Sequence, residues 1–83
     1  LKEGASGIAN KFFDKGEKYY DQALDYYTMA QDTAGIEKVA TTYKNKGGSS
    51  IEKAIELYKK IGTKDALNRG GSLAFEKKNY TNA

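Results

Sequence analysis

The chain has 83 residues and a mass of 9.1 kDa, with 39% apolar residues, 30% charged residues and a net charge of +3 from 14 basic and 11 acidic side chains. This composition is globular rather than disordered, but a chain this short buries only about 60% of its unfolded surface and holds one small core or one short stack. With no cysteine and no histidine it has no disulfide framework, no thiolate metal site and no use of the commonest general base, which excludes most hydrolytic and zinc chemistry, and its mild positive charge speaks for solubility more than for a polyanion partner.

Read in chain order, the sequence predicts helices near 5–15, 19–32, 35–46, 50–61 and 64–78, with a sixth beginning at Tyr80. In the first, Ile8, Ala9, Phe12 and Phe13 form an apolar stripe that ends at Lys15-Gly16. In the second, GEKYYDQALDYYTMA, Tyr20, Ala23, Leu24, Tyr27 and Ala30 recur at i, i+3, i+4 and i+7, the signature of one buried face. Thr33 is the expected N-cap of the third helix, which closes at Lys46-Gly47-Gly48. Ser49, followed three residues later by Glu52, has the form of a capping box opening the fourth, which closes at Lys60-Ile61-Gly62. At each of these C-termini a basic residue in the last turn meets the negative end of the helix dipole, and a glycine just beyond it can take the left-handed cap.

Thr63 is the expected N-cap of the fifth helix, whose interior holds Gly70 and Gly71 at a cost of about 1 kcal/mol each relative to alanine. Gly71 fits a small contact site; Gly70 is where the helix can break. No stretch alternates with period two, so no sheet is expected and the fold class is all-α. The longest apolar runs are two or three residues, against roughly 20 for a membrane span, and no charged-then-apolar leader precedes them. No membrane insertion and an intracellular, cytoplasmic location are the expectations. Starting at Leu1 rather than Met and stopping soon after Tyr80, the sequence reads as a piece of a longer chain or larger assembly.

Set against itself with a shift of 31, the chain places Ile8 on Val39, Ala9 on Ala40, Phe12 on Tyr43, Gly16 on Gly47, Ala23 on Ala54, Leu24 on Ile55 and Tyr27 on Tyr58. A partial third copy follows in GSLAFEKKNYTNA, with Gly71, Phe75, Tyr80 and Ala83. The repeats span about 5–32, 35–61 and 64–83, each complete one a pair of helices. In such pairs a large ring needs a small residue opposite, so Tyr27 and Tyr58 are expected to pack where Ala9, Ala40 and Gly71 let helices approach, with each phenolic hydroxyl reaching a hydrogen bond at the rim.

The last copy resembles the first helix of a tetratricopeptide (TPR) repeat running through a turn near Lys78-Asn79 into its second, and the earlier copies resemble the turn and second helix of that repeat. The resemblance covers nearly the whole of 1–83 as about two and a half repeats. It departs from the family in its 31-residue rather than 34-residue period, in two extra residues before Ala23 and Ala54, and in having no proline. Shorter repeats of this kind are similar to those of vesicle-coat and intraflagellar-transport subunits. The resemblance implies stacked antiparallel helix pairs forming a TPR-like α-α superhelix, with a concave face for a partner protein or peptide, no cofactor and no catalysis. On that face fall Asn10, Phe13, Asp14, Lys38, Thr42, Asn68, Arg69 and Ser72. The carboxylate clamp of some TPR domains is met only at Asn10 and Arg69, and its first lysine position holds Ser6, so a solvated polar face is the expectation there.

Other patterns are weaker. Lysines beside rings, as in Lys11-Phe12-Phe13 and Tyr58-Lys59-Lys60, motivate a helical-repeat nucleic-acid binder as the alternative, although that spacing puts the rings on the buried stripe. Asp21/Asp25 and Glu52/Glu56 lie one helical turn apart and read as surface charges among lysines. Asn79-Tyr80-Thr81 matches a glycosylation sequon by coincidence. The leading expectation is a non-catalytic interaction scaffold or adaptor, with a trafficking-coat or transport subunit as the narrower alternative. The third repeat, stopping as its second helix begins, is expected to leave Leu73, Phe75 and Tyr80 partly in water.

Overall fold

At several of the described helix ends a side chain or a left-handed residue supplies the backbone partners that a helix end lacks. The structure is a computed structural model that describes the backbone of residues 2–82 and the side-chain surroundings of residues 4–75. Among the described residues there are five α-helices, α1 Lys2–Lys15, α2 Tyr20–Met29, α3 Thr33–Lys46, α4 Ser50–Ile61 and α5 Lys64–Asn82, with a 3-10 turn at Glu17–Tyr19 leading into α2. None of them forms a strand, so the protein is all-α, as the periodicity predicts.

The caps fall partly where the sequence puts them. Thr63 opens α5 by accepting the Ala66 N–H at 3.2 Å, and Gly62 closes α4 in the left-handed region at φ 76°. The cap of α3 is Asp32 rather than Thr33. Its Oδ1 accepts the Gly35 N–H at 3.0 Å, and its Oδ2 accepts the Ser6 hydroxyl at 2.9 Å. A carboxylate at that point also meets the positive end of the helix dipole, which a threonine hydroxyl cannot do as well.

The capping box at Ser49 does not form. Ser49 is already helical at φ −64° and ψ −18° and makes no side-chain cap bond, whereas an N-cap side chain reaches back only from an extended backbone. Gly47 and Gly48, left-handed at φ 76° and 58°, turn the chain early, and their carbonyls accept the Ser50 and Ile51 N–H groups, each at 3.2 Å.

The second helix ends at Met29, short of the expected residue 32, in a Schellman turn. Gln31 stands left-handed at φ 55°, its N–H donates to the Thr28 carbonyl at 3.0 Å, and the Asp32 N–H reaches the Tyr27 carbonyl at 2.9 Å. Shifted by 31, Gln31 falls on Gly62. Both copies therefore use the same left-handed stop, once with the residue that takes it freely and once with one that does not.

Contacts divide the chain into two compact units, Leu1–Val39 and Ala40–Ala83. In the first, α1 packs on α2 around buried Ala9, Tyr20, Ala23, Tyr27, Ala30, Ile36 and Val39. In the second, α4 packs on α5, and Ala40, Tyr43, Ala54, Ile55, Leu57, Tyr58, Ala66 and Leu73 are buried. The repeat survives at atomic detail. Tyr27 donates its hydroxyl to Asn10 Oδ1, Tyr58 and Thr41 share a hydroxyl bond of 3.0 Å, and each pair spans 17 residues. One pair maps on the other by the same shift of 31. Ile8 breaks the pattern, 43% exposed where its match Val39 is fully buried.

Three expectations for the C-terminal helix are corrected. It is continuous through Gly70 and on to Asn82, with no turn near Lys78-Asn79 and no sixth helix starting at Tyr80. The small contact residue is Gly70, not Gly71. A Cβ at Gly70 would stand 3.3 Å from that of Tyr58, and one at Gly71 would meet nothing within 4 Å, because Ala66, Gly70 and Leu73 form the i, i+4, i+7 stripe that faces α4. Leu73 on this stripe is buried, whereas Phe75 is 66% exposed; the side chain of Tyr80 lies outside the described residues. In the first unit the space for Tyr27 is left by Gly35, where an added Cβ would overlap the ring. Among the described residues no helix is long and apolar enough to cross a membrane.

Two substitutions of glycine by alanine should therefore have opposite signs in chemical denaturation. Gly71→Ala should stabilise by about 1 kcal/mol through helix propensity, and Gly35→Ala should cost roughly 1–3 kcal/mol by overpacking Tyr27. Equal effects would show that Gly35 is not in contact with the ring. Gln31→Gly should raise stability by about 0.5–1 kcal/mol, the left-handed penalty relieved less the added freedom of the unfolded chain; a loss would mean that the Gln31 side chain makes a compensating contact.

Candidate functional site

Aromatic doublets stand at 12–13 on α1 and at 19–20 and 26–27 on the segment that folds back into and along α2, and the rings fall into two files where these elements meet. In one file Phe12 stacks on Tyr19 and Tyr26, with ring centres 6.1 and 5.7 Å apart. In the other Phe13 stacks on Tyr20 at 4.9 Å with planes 7° apart. A lysine covers each file. Lys15 Nζ lies 5.6 Å from the Phe12 centroid and 5.4 Å from that of Tyr19, and Lys38 Nζ lies 4.4 Å from Phe13 and 5.6 Å from Tyr27. Contacts of this kind hold an ammonium on the negative face of a ring.

Lys38 also donates to Asn10 Oδ1 at 3.1 Å, the atom that accepts the Tyr27 hydroxyl. One exposed amide oxygen thus ties α1, α2 and α3 together in the first unit. With its oxygen doubly engaged, Asn10 has its two N–H donors left for a ligand or for water. Of the eight residues expected on a concave face, Asn10, Phe13 and Lys38 meet here. Asp14 is exposed on α1 and belongs to no such cluster.

A second group forms in the other unit. Asn68, Arg69 and Ser72, all from the expected set, line an open cleft of about 200 Å³ with Lys44 and Leu73. Arg69 and Ser72 are neighbours across less than one turn of α5, Leu73 is buried beneath them, and Lys44 comes from the last turn of α3. Thr42, half-buried on α3, is not part of the lining. The sequence analysis missed Lys44, although the repeat contained the signal, since the shift of 31 carries Phe13 onto it.

Charge follows the same division. Leu1–Val39 contains five basic and seven acidic residues, Ala40–Ala83 nine basic and four acidic. The overall +3 is therefore a slightly acidic unit and a distinctly basic one. The rings that would make a nucleic-acid surface are engaged. Phe12 and Phe13 are half-buried beneath lysines, and Tyr58 is 1% exposed. Ser6 is committed to Asp32. Among the described residues no three potential metal ligands gather at one point.

A double-mutant cycle on Lys38→Met and Phe13→Leu should return a coupling of about 0.5–1 kcal/mol, the range for exposed cation–π pairs; additive effects would show that the ammonium does not rest on the ring. In comparisons with known proteins, no family model matches the chain, and no curated protein or solved structure is significantly similar to it.

Proposed function

We propose that the protein is a non-catalytic interaction segment, a TPR-like helical repeat that holds a partner protein or peptide on exposed polar residues carried by rigid helices. The observation that carries this reading is the repeated anchor, Tyr27 on Asn10 and Tyr58 on Thr41, with the same separation and the same shift as the sequence repeat. Chains built from repeated helix pairs bury one face between neighbours and present another, and they serve as scaffolds for other chains. The residue alphabet agrees, since the chain has neither the histidine nor the cysteine on which much acid–base and nucleophilic catalysis relies. The 31-residue period favours a coat or transport scaffold among such proteins, and an intracellular, cytoplasmic setting accords with a chain that has no cysteine.

Nucleic-acid binding is the second reading, favoured by the basic surplus of Ala40–Ala83. The two readings differ in salt dependence, because every phosphate contact releases counterions and a peptide complex has few of them. Selection from a displayed random-peptide library, followed by chemical-shift mapping of the selected peptide, should perturb residues around Asn10 and Lys38 or around Asn68 and Arg69, with affinity changing by less than about tenfold between 50 and 200 mM salt. Failure to select any peptide, together with oligonucleotide binding that drops about a thousandfold over that range, would replace the first reading with the second.

A further inference from the structure

Lys44 and Arg69 bring cationic donors and Asn68 and Ser72 neutral groups able to donate to the rim of one cleft, with no carboxylate among the lining residues and the Leu73 side chain buried below. From this donor set we propose that the cleft is a binding site for an acidic side chain of a partner peptide, an aspartate or glutamate carboxylate flanked by apolar residues. The inference rests on the protein-binding reading and narrows it to a site, a charge and a ligand class.

Three features fix the ligand class. First, arginine offers a planar fork that grips a carboxylate with two parallel hydrogen bonds, and Lys44 adds a point charge from a different helix, so the site reads an anion from two directions. Second, the unit has nine basic and four acidic residues, a field that raises the arrival rate of acidic segments. Third, the volume of about 200 Å³ is room for roughly six waters and suits one side chain. A strand of nucleic acid would require a row of rings on which bases stack, whereas Tyr43 and Tyr58 are buried and Phe75 is the one exposed ring among the residues of this unit whose side chains are described.

The cleft shares Arg69 with the TPR clamp pattern but not Asn10; it adds Lys44 and Ser72, and it needs no terminal carboxylate. Asn68 and Ser72 supply neutral donors that fix the orientation of the carboxylate, and the exposed apolar residues Leu67 and Phe75 on the same helix offer contacts for apolar neighbours in the peptide. Arg69 keeps an interaction of its own within the chain; a carboxylate can share its guanidinium, which has five N–H donors.

The test uses the full chain and a fluorescein-labelled peptide of alternating glutamate and leucine with an amidated C-terminus, read by polarisation. The comparison probes are the same peptide with every glutamate changed to glutamine, and oligo-dT. The acidic peptide should bind at least about tenfold more tightly than its glutamine version. Arg69→Gln and Lys44→Gln should each weaken it about five- to tenfold. Lys60→Gln, which removes the same charge from an exposed position outside the cleft, should change it less than about twofold. Thermal unfolding of each variant checks that the fold is kept. Equal losses from Lys60→Gln and Arg69→Gln, tighter binding of oligo-dT, or no binding of the acidic peptide overturns the proposal. Equal binding of the glutamate and glutamine peptides also overturns it, while leaving the protein-binding reading in place.

Discussion

A tyrosine buried in a helix interface carries a hydroxyl that must find a partner, since an unpaired one would cost as much as the packing contributes. Tyr27 and Tyr58 are almost fully buried, and each sends its hydroxyl to a polar residue on the helix before it. The rest of each unit follows from that constraint. The ring thickens its helix, so a neighbouring element must give up its side chain where the ring lies, at Gly35 in one unit and Gly70 in the other. Because the hydroxyl reaches only one register, sliding α1 along α2, or α3 along α4, by a single turn would orphan it. No buried side-chain polar atom among the described residues lacks a partner, so the polar ends of the rings specify the arrangement that their apolar bodies stabilise.

Which parts of this were legible in the sequence depends on the range of the signal. The helices, the shift of 31, the burial of Tyr27 and Tyr58 and the caps at Thr63 and Gly62 follow from periodicity and punctuation within a few residues. The cap at Asp32, whose Oδ1 accepts the Gly35 N–H three residues on, was within reach of local pattern; its second bond, from Ser6 26 positions away, was not. The choice between Gly70 and Gly71 rests on helical phase: Ala66 and Leu73 fix it, but only once the buried face of α5 is known. The third repeat was misread because a match of residue types, Gly71, Phe75 and Tyr80, was taken over the absence of any breaker between Lys77 and Asn82. Asn79 and Thr81 can cap a helix, but with no glycine or proline there nothing forces it to stop.

The candidate residues separated along the same line. Asn10 and Lys38 lie one step off the buried residues Ala9 and Val39, and Phe13 sits on the half-buried margin of the α1 stripe, positions that amphipathic phase identifies. Asn68, Arg69 and Ser72 share a face of α5 by the same phase. Phase says nothing about depth, however, and the cleft they line depends on Lys44 arriving from α3.

The two units share a backbone plan, and each rests lysine on a ring, the second with Lys53 on Tyr43 at 5.3 Å; they differ at the place of Phe13. In the first, Lys15 and Lys38 lie on aromatic faces, where the ammonium is attracted by the ring and its reach toward a ligand is restricted. In the second, the residue at the place of Phe13 is Lys44 itself, and the ring it replaces leaves an open cleft lined by cationic and neutral polar groups. One substitution within the repeat thus turns a site that consumes a cation internally into one that presents it. The two copies diverge at this position while both keep the tyrosine anchor, Tyr27 on Asn10 and Tyr58 on Thr41.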